Sequence, residues 1–272
     1  MEGAAFGRSL LYGGGHMRTD AVRLFADAWK LMTGRLPAPQ YEESNALVSC
    51  FCDVPSFFFN VWIPLDPATT PETLQAVVAA GAARARAAAH PVGGLLREDW
   101  LPANWQELVA QHGYAPAVPM TAMEAEDLAP PRRPQPVELD IRRVVDDFGA
   151  RDIAVLNADA YGMPREMFGA LSNMALWRAD SLGFVGYVGD RPVAATGVFP
   201  AANTVYVALV ATAPDAQGKG YAEAVMRHAV QEGQKLMGVK RTTLHATDAG
   251  RPIYTAMGYA SGARMVLVAP AH

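Results

Sequence analysis

The chain has 272 residues, of which 51% are hydrophobic and 18% charged, with a net charge of −4. That composition belongs to a globular protein and excludes a disordered tail; no block of Lys or Arg offers a nucleic-acid footprint. No run of about 20 apolar residues could cross a bilayer, and beside Cys50 and Cys52 no Cys pair or Cys/His set elsewhere supplies four metal ligands.

Residues 1–17 (MEGAAFGRSLLYGGGHM) lack a charged segment followed by an apolar one, so they do not read as a secretory signal. With Gly13, Gly14 and Gly15 they read as a flexible leader, and the expected location is cytoplasmic. Cys50 and Cys52 would share one face of a strand and read as reduced, buried small residues. Next come a strand over 57–65, an Ala-rich helix over 70–89, a short strand over 93–97, a helix over 104–111 and a strand over 117–122. Residues 128–136 (LAPPRRPQP) hold four prolines in nine positions and can continue neither helix nor central strand. They divide the chain into expected domains at 18–129 and 138–272, joined by a linker at 130–137.

The second half alternates strands and helices. Residues 138–144 read as a short strand. Over 146–161, Ile153, Val155, Leu156 and Ala160 follow acidic residues that suit a helix start. A short helix is expected over 164–174, with Pro164 at its start. Apolar runs at 183–188 and 192–199 flank Gly189-Asp190 and read as a hairpin. Thr204–Thr212 (TVYVALVAT) is rich in β-branched residues and reads as a strand. Residues 220–237 place Ala224, Val225, Ala229, Val230 and Met237 near a helical period. A strand over 242–246, a short helix over 251–257 and a strand over 264–269 close the chain.

The chemistry concentrates at 210–222, VATAPDAQGKGYA, where a strand gives way to a long helix. There Gln217, Gly218, Lys219, Gly220, Tyr221 and Ala222 fit the pattern Q/R-x-x-G-x-G/A. The first N–H groups of a helix have no internal partner, and with the helix dipole they form an anion site. Gly218 and Gly220 let the backbone approach an anion without a Cβ in the way; Ala222 keeps the helix start small and Lys219 adds positive charge. The anion this suits is a phosphate; the plain alternative is an ordinary strand-to-helix turn. The pattern G-x-x-x-x-G-K-[ST] is absent, and Glu223 stands where a dinucleotide fingerprint needs its third glycine.

On these residues the segment 138–270 resembles the GNAT superfamily of acyl-CoA-dependent N-acyltransferases. Gln217, Gly220 and Ala222 hold the defining loop positions. LHATDAGRPIYTAMGY (244–259) resembles the family's late strand and short helix ending in Y-x-x-x-G-F/Y, through Tyr254, Gly258 and Tyr259. Thr247 and Gly250 depart from the Asn and Ala common there. The resemblance implies an α/β fold in which a twisted mixed sheet is flanked by helices. It implies acetyl-CoA as co-substrate, no metal, and acetyl transfer by direct attack of a primary amine on a small molecule or peptide. The pantetheine arm would lie between the strands at 204–212 and 242–246, along Val210, Ala211 and Thr212, with Thr247 a further contact. The pyrophosphate would sit on residues 217–222, a backbone N–H near Val210 or Ala211 would hold the oxyanion, and Tyr254 would protonate the CoA thiolate. Tyr254 is otherwise a packed aromatic. For the base, His245, Tyr206 and a water chain stay open. His90, His112 and His228 have no partner spacing.

The first half echoes the second. Gln111-His112-Gly113-Tyr114 resembles Ala256-Met257-Gly258-Tyr259, and 60–65 with Asp66-Pro67 resembles a central strand and its turn. It has no Q/R-x-x-G-x-G/A, and Val109 stands where the second half has Tyr254. It reads as a degenerate copy of the same fold, giving two tandem GNAT-like domains with one active site; the alternative is an unrelated α/β domain. Phe57, Phe58, Phe59, Trp62, Trp100 and Trp105 are expected in its core, with some free to line a cleft between the halves. The partners implied are an amine acceptor, with neither nucleic acid nor membrane, and a homodimer is an allowed assembly. Two other functions compete: an acyl-CoA-binding sensor or scaffold without turnover, and an α/β interaction domain that binds no CoA.

Overall fold

The structure, a computed structural model, describes residues 20–271; the expected leader at 1–17 lies outside them. Helix α1 (Ala21–Thr33) is capped by Asp20, whose carboxylate accepts from the N–H groups of Val22 and Arg23 at 2.8 and 3.0 Å. Strands β1 (Gln40–Glu43), β2 (Leu47–Phe51) and β3 (Val61–Pro64) follow. Thr70 and Thr73 form a capping box on α2 (Pro71–Ala85). The first half ends with β4 (Gly93–Arg97), α3 (Trp105–Ala110) and β5 (Tyr114–Ala125). The second half comprises β6 (Leu139–Arg143), α4 (Asp147–Tyr161), β7 (Leu182–Val188), β8 (Arg191–Ala201) and β9 (Thr204–Thr212), then α5 (Tyr221–Met237), β10 (Thr242–Thr247), α6 (Arg251–Ala256) and β11 (Ala260–Pro270).

All eleven strands form one mixed sheet in the order β1-β2-β3-β4-β11-β5-β10-β9-β8-β7-β6. The halves are joined by exchange of their last strands: β5 lies between β10 and β11, and β11 lies between β4 and β5. Each half runs through the same sequence of parts. A helix (α1 or α4) precedes an antiparallel run ending in β3 or β9; a second helix (α2 or α5) leads to a parallel partner, β4 or β10. A short helix and a long final strand complete both. Gly113 and Gly258, at φ +79° and +97°, stand at the matching turn ahead of Tyr114 and Tyr259.

The expected elements differ from the observed ones in places. Residues 164–174 form two 3-10 turns, Arg165–Met167 and Gly169–Ser172, because burying Phe168 and Leu171 bends the backbone away from one continuous helix. The strand expected over 57–65 is confined to Val61–Pro64. Buried Asn60 draws the preceding chain into a loop: its Oδ1 accepts from Cys52 N at 2.8 Å, and its Nδ2 donates to the Val54 and Ser56 carbonyls at 2.8 and 3.0 Å. Cys50 and Cys52 are free and buried, and burial pushes both thiols up to about 12. Trp62 fills the interior of the first half. A Cβ on Gly81 or Gly94 would come within 2.5 or 2.2 Å of its ring, so both positions require glycine.

Candidate active site

Strands β9 and β10 pair only at Val205↔Thr242, Tyr206↔Thr243 and Val207↔Leu244. Past Leu244, β10 stays on β5 as far as Thr247↔Met120, while β9 stays on β8 as far as Thr212↔Ala194. The two strands therefore part, and a cleft of about 770 Å³ opens between Val210, Ala211 and Thr212 on one side and His245, Thr247 and Tyr254 on the other.

A bulge marks the same point. The register of β9 on β8 jumps from Ala208↔Gly197 to Ala211↔Ala195, leaving Leu209 and Val210 opposite Thr196 alone. Leu209 takes φ +58°, a left-handed conformation that costs a side chain with a Cβ about 1–2 kcal/mol. Asn157 on α4 holds it there. Its Nδ2 donates to the Leu209 carbonyl at 3.3 Å and to the Ile153 carbonyl at 2.8 Å, and its Oδ1 is buried without a partner.

At the far end of the cleft, Gly218 and Gly220 lie at φ +75° and +85°, so glycine is required at both. No side chain caps the first N–H groups of α5, which leaves the anion-binding end of the helix open. Gln217, Gly218, Gly220, Tyr221 and Ala222 line this end; Lys219 is exposed and is not among the lining residues. The Tyr221 hydroxyl donates to Glu138 Oε1 at 2.8 Å and ties the helix start to the entry of β6. Two cations come from an unexpected place. Arg132 and Arg133 of the Pro-rich linker line the cleft, and Arg133 Nη1 donates to the Gly218 carbonyl at 3.4 Å.

Tyr254 sits in the middle of α6 with its ring buried, and burial pushes its phenol well above the usual range, so it is protonated at neutral pH. A Cβ on Gly250 would lie 3.0 Å from that ring, which accounts for glycine in place of alanine. Thr247 Oγ1 accepts from Gly250 N at 3.3 Å, and its own O–H is left to donate elsewhere. His245 Nδ1 is 3.0 Å from the Tyr206 hydroxyl, Phe25 packs edge-on at 5.2 Å, and the ring also interacts with the Ala21 backbone. Burial pushes the imidazole down to about 4 and the Tyr206 phenol up.

Tyr161, at the end of α4, lines the cleft as well; just ahead of Gly162, it has no chemical motif to single it out. Phe58 and Phe59 line a second, smaller cavity that shares Tyr161, His245 and Thr247 with the cleft. The other histidines lie apart: His90 contacts Asp53 at 2.8 Å and His228 packs against Phe184. Among the described residues no group of three or more His, Cys, Asp or Glu could hold a metal ion, and no helix is long and apolar enough to cross a membrane.

A mixed sheet that parts beside a bulged strand, over a glycine-rich helix start, defines an acetyltransferase fold. Residues 153–259 match the Acetyltransferase (GNAT) family. The whole chain is similar in fold to a GCN5-related N-acetyltransferase from Kribbella flavida, with TM-score 0.68 and 17% identity over 92% of this chain and 95% of that one. A GCN5-related N-acetyltransferase from Sphaerobacter thermophilus gives TM-score 0.57 and 18% identity over 92% and 91%. A tandem GNAT protein from the clavulanic acid biosynthesis pathway gives 0.53 and 10% over 92% of each chain. No curated protein matches the chain.

Proposed function

We propose that the protein transfers an acetyl group from acetyl-CoA to a primary amine on a small molecule or peptide. One observation carries this reading: the parting of β9 and β10, the bulge at Leu209, the uncapped start of α5 and Tyr254 all meet in a single cleft. Val210, Ala211 and Thr212, released from β10 on that edge, offer backbone groups to the pantetheine amides as an added strand would. The loop from Gln217 through Gly218, Lys219, Gly220 and Tyr221 to Ala222 takes the pyrophosphate, with Arg132 and Arg133 adding charge. Thr247 donates its hydroxyl to the pantetheine arm.

Bound there, acetyl-CoA supplies a thioester carbonyl open to attack. The cleft holds a neutral amine against that carbon; the C–N bond forms and the C–S bond breaks. A backbone N–H at the bulge, on Val210 or Ala211, stabilises the oxygen as it gains charge. Tyr254 gives its phenolic proton to the departing thiolate. His245, with a pKa near 4, is neutral at working pH and too weak a base for a free ammonium of pKa about 10. It acts instead on the more acidic N–H formed once nitrogen has bonded to carbon, with Tyr206 fixing the ring through Nδ1.

The first half, 18–129, serves as a degenerate copy, linked through 130–137 to the transferring half at 138–272. It repeats the order of elements but has Trp62 packed into its interior, no glycine loop and Val109 in place of a tyrosine. The free, buried cysteines suit a reducing cytoplasm.

Calorimetric titration with CoA, followed by thiol release from acetyl-CoA across a panel of amines, tests the reading. Tyr254→Phe is expected to lower kcat tenfold or more while leaving CoA affinity near wild type. Absence of CoA binding would refute the reading. Full activity of the variant would remove Tyr254 from its role, and binding without turnover across the panel would favour a sensor.

A further inference from the structure

The smaller cavity, about 90 Å³, lies where the cleft runs on past the bulge. The two share Tyr161, His245 and Thr247, so they adjoin along these three residues. On β9 the cleft is bordered from Thr212 back to Val210, and the smaller cavity from Leu209 back to Tyr206. A group carried along β9 towards the bulge therefore points into the smaller cavity. Both halves of the chain build its wall: α1 gives Phe25 and Trp29, the turn before β3 gives Phe58, and β5 gives Val118 and Met120. Trp29 Nε1 donates to the Phe58 carbonyl and locks α1 to that turn. No Asp, Glu, Lys or Arg is among the lining residues.

We infer that this cavity receives the acyl tail of the thioester, so that besides acetyl-CoA the protein accepts acyl-CoA substrates of up to about four to six carbons and binds these more tightly. The inference rests on reading the cleft as an acyl-CoA site. Size sets the length: an apolar cavity of about 150 Å³ holds benzene, or roughly 25 Å³ per carbon, so 90 Å³ takes three to four carbons beyond those next to sulfur. Charge sets the occupant. An acceptor arrives as an ammonium, and this lining offers no carboxylate to receive it, whereas an alkyl tail needs none.

Calorimetry on the full chain with CoA and with acetyl-, butyryl-, hexanoyl- and decanoyl-CoA tests this without knowledge of the acceptor. Each methylene buried is worth about a fourfold gain in affinity, so butyryl-CoA should bind about fifteenfold tighter than acetyl-CoA, with the gain ending near six carbons. Val118→Phe should abolish the preference and keep affinity for CoA itself; Phe58→Ala should move the optimum to longer chains. Thermal melting of both variants identifies any that fail to fold, and the chain-length series on the wild type decides the question without them. If CoA does not bind, the reading of the cleft has failed. If CoA and acetyl-CoA bind and affinity is flat with chain length, the cleft stands and the acyl-tail inference is overturned. A flat series in which Val118→Phe raises the KM of the amine would assign the cavity to an apolar part of the acceptor, and would overturn it equally.

Discussion

Asn157→Leu isolates the role of the bulge, because the substitution keeps the side-chain volume and removes the donor. The Leu209 carbonyl then loses its 3.3 Å bond. A buried carbonyl left without a donor costs about 1–3 kcal/mol, taken here as about 2. The Ile153 carbonyl retains its helix bond and loses little. Against this, Asn157 Oδ1 is already buried without a partner, and its removal returns about 1 kcal/mol. The loss is about 1 kcal/mol while the backbone stays in place, and relaxation of Leu209 out of the left-handed region offsets it, so Tm should move by no more than roughly 2–4 °C for a chain of this size. The effect on turnover should be far larger. Leu209 is held at φ +58°, and without the clamp the backbone gains about 1–2 kcal/mol by leaving that region. The bulge then shifts, carrying the N–H groups of Val210 and Ala211 away from the oxyanion. Steady-state kinetics with differential scanning calorimetry should show kcat lowered at least tenfold, with CoA affinity and Tm little changed. Adding Leu209→Gly, which occupies the left-handed region without penalty, should recover part of kcat for acetyl transfer. A lower Tm with unchanged kcat would refute the claim that the clamp positions the reacting groups.

Three further outcomes are expected. His245 has its pKa lowered from 6.5 to about 4 by burial, so between those values the unfolded chain binds a proton that the native one does not. Stability should therefore be complete above pH 6.5 and fall as pH drops towards 4, by at most about 3 kcal/mol; urea titrations should show the slope, and His245→Phe should flatten it. Gly250→Ala is unstrained in its backbone at φ −82° but brings a Cβ to 3.0 Å from the Tyr254 ring. It should lower kcat several-fold with less than about 1 kcal/mol lost in stability, and an unchanged kcat would show that the position of that ring is not critical. Arg133→Ala should weaken CoA binding two- to fivefold at low salt and less at high salt, since this exposed guanidinium acts through a screened field; equal affinities at low salt would exclude it from the phosphate site.

The second half was largely legible in the sequence because its signals are local. The β-branched run of Thr204–Thr212 forms a strand wherever it is placed, and the glycines at 218 and 220 are needed for their own backbone angles. Where the sequence reading fell short, the cause is tertiary. β1 has no apolar residue pattern, and all four of its residues are exposed. α1 does carry a signal, Asp20 as cap with Val22, Phe25 and Trp29 at helical spacing, but its importance comes from packing on His245, which no spacing reveals. Arg132 and Arg133 sit in a segment whose prolines describe a spacer. Only the fold brings that spacer across the start of α5.

The exchange of β5 and β11 decides what the first half is for. β10 is bonded along its whole length to the second half of β5, from Thr247↔Met120 to Thr242↔Ala125, and β5 is bonded to β11 on its other edge. β10 therefore has its full antiparallel partner in the first half and only a short parallel contact with β9. That asymmetry is what allows β9 and β10 to part: β10 is anchored from outside its own half, so its hydrogen bonds do not depend on following β9 past Leu244. The same strand carries Val118 and Met120 into the cavity beyond the bulge, and α1 closes over His245 from the same side. The first half, which has no glycine loop, thus supplies through its last strand a wall of the cleft in the second half.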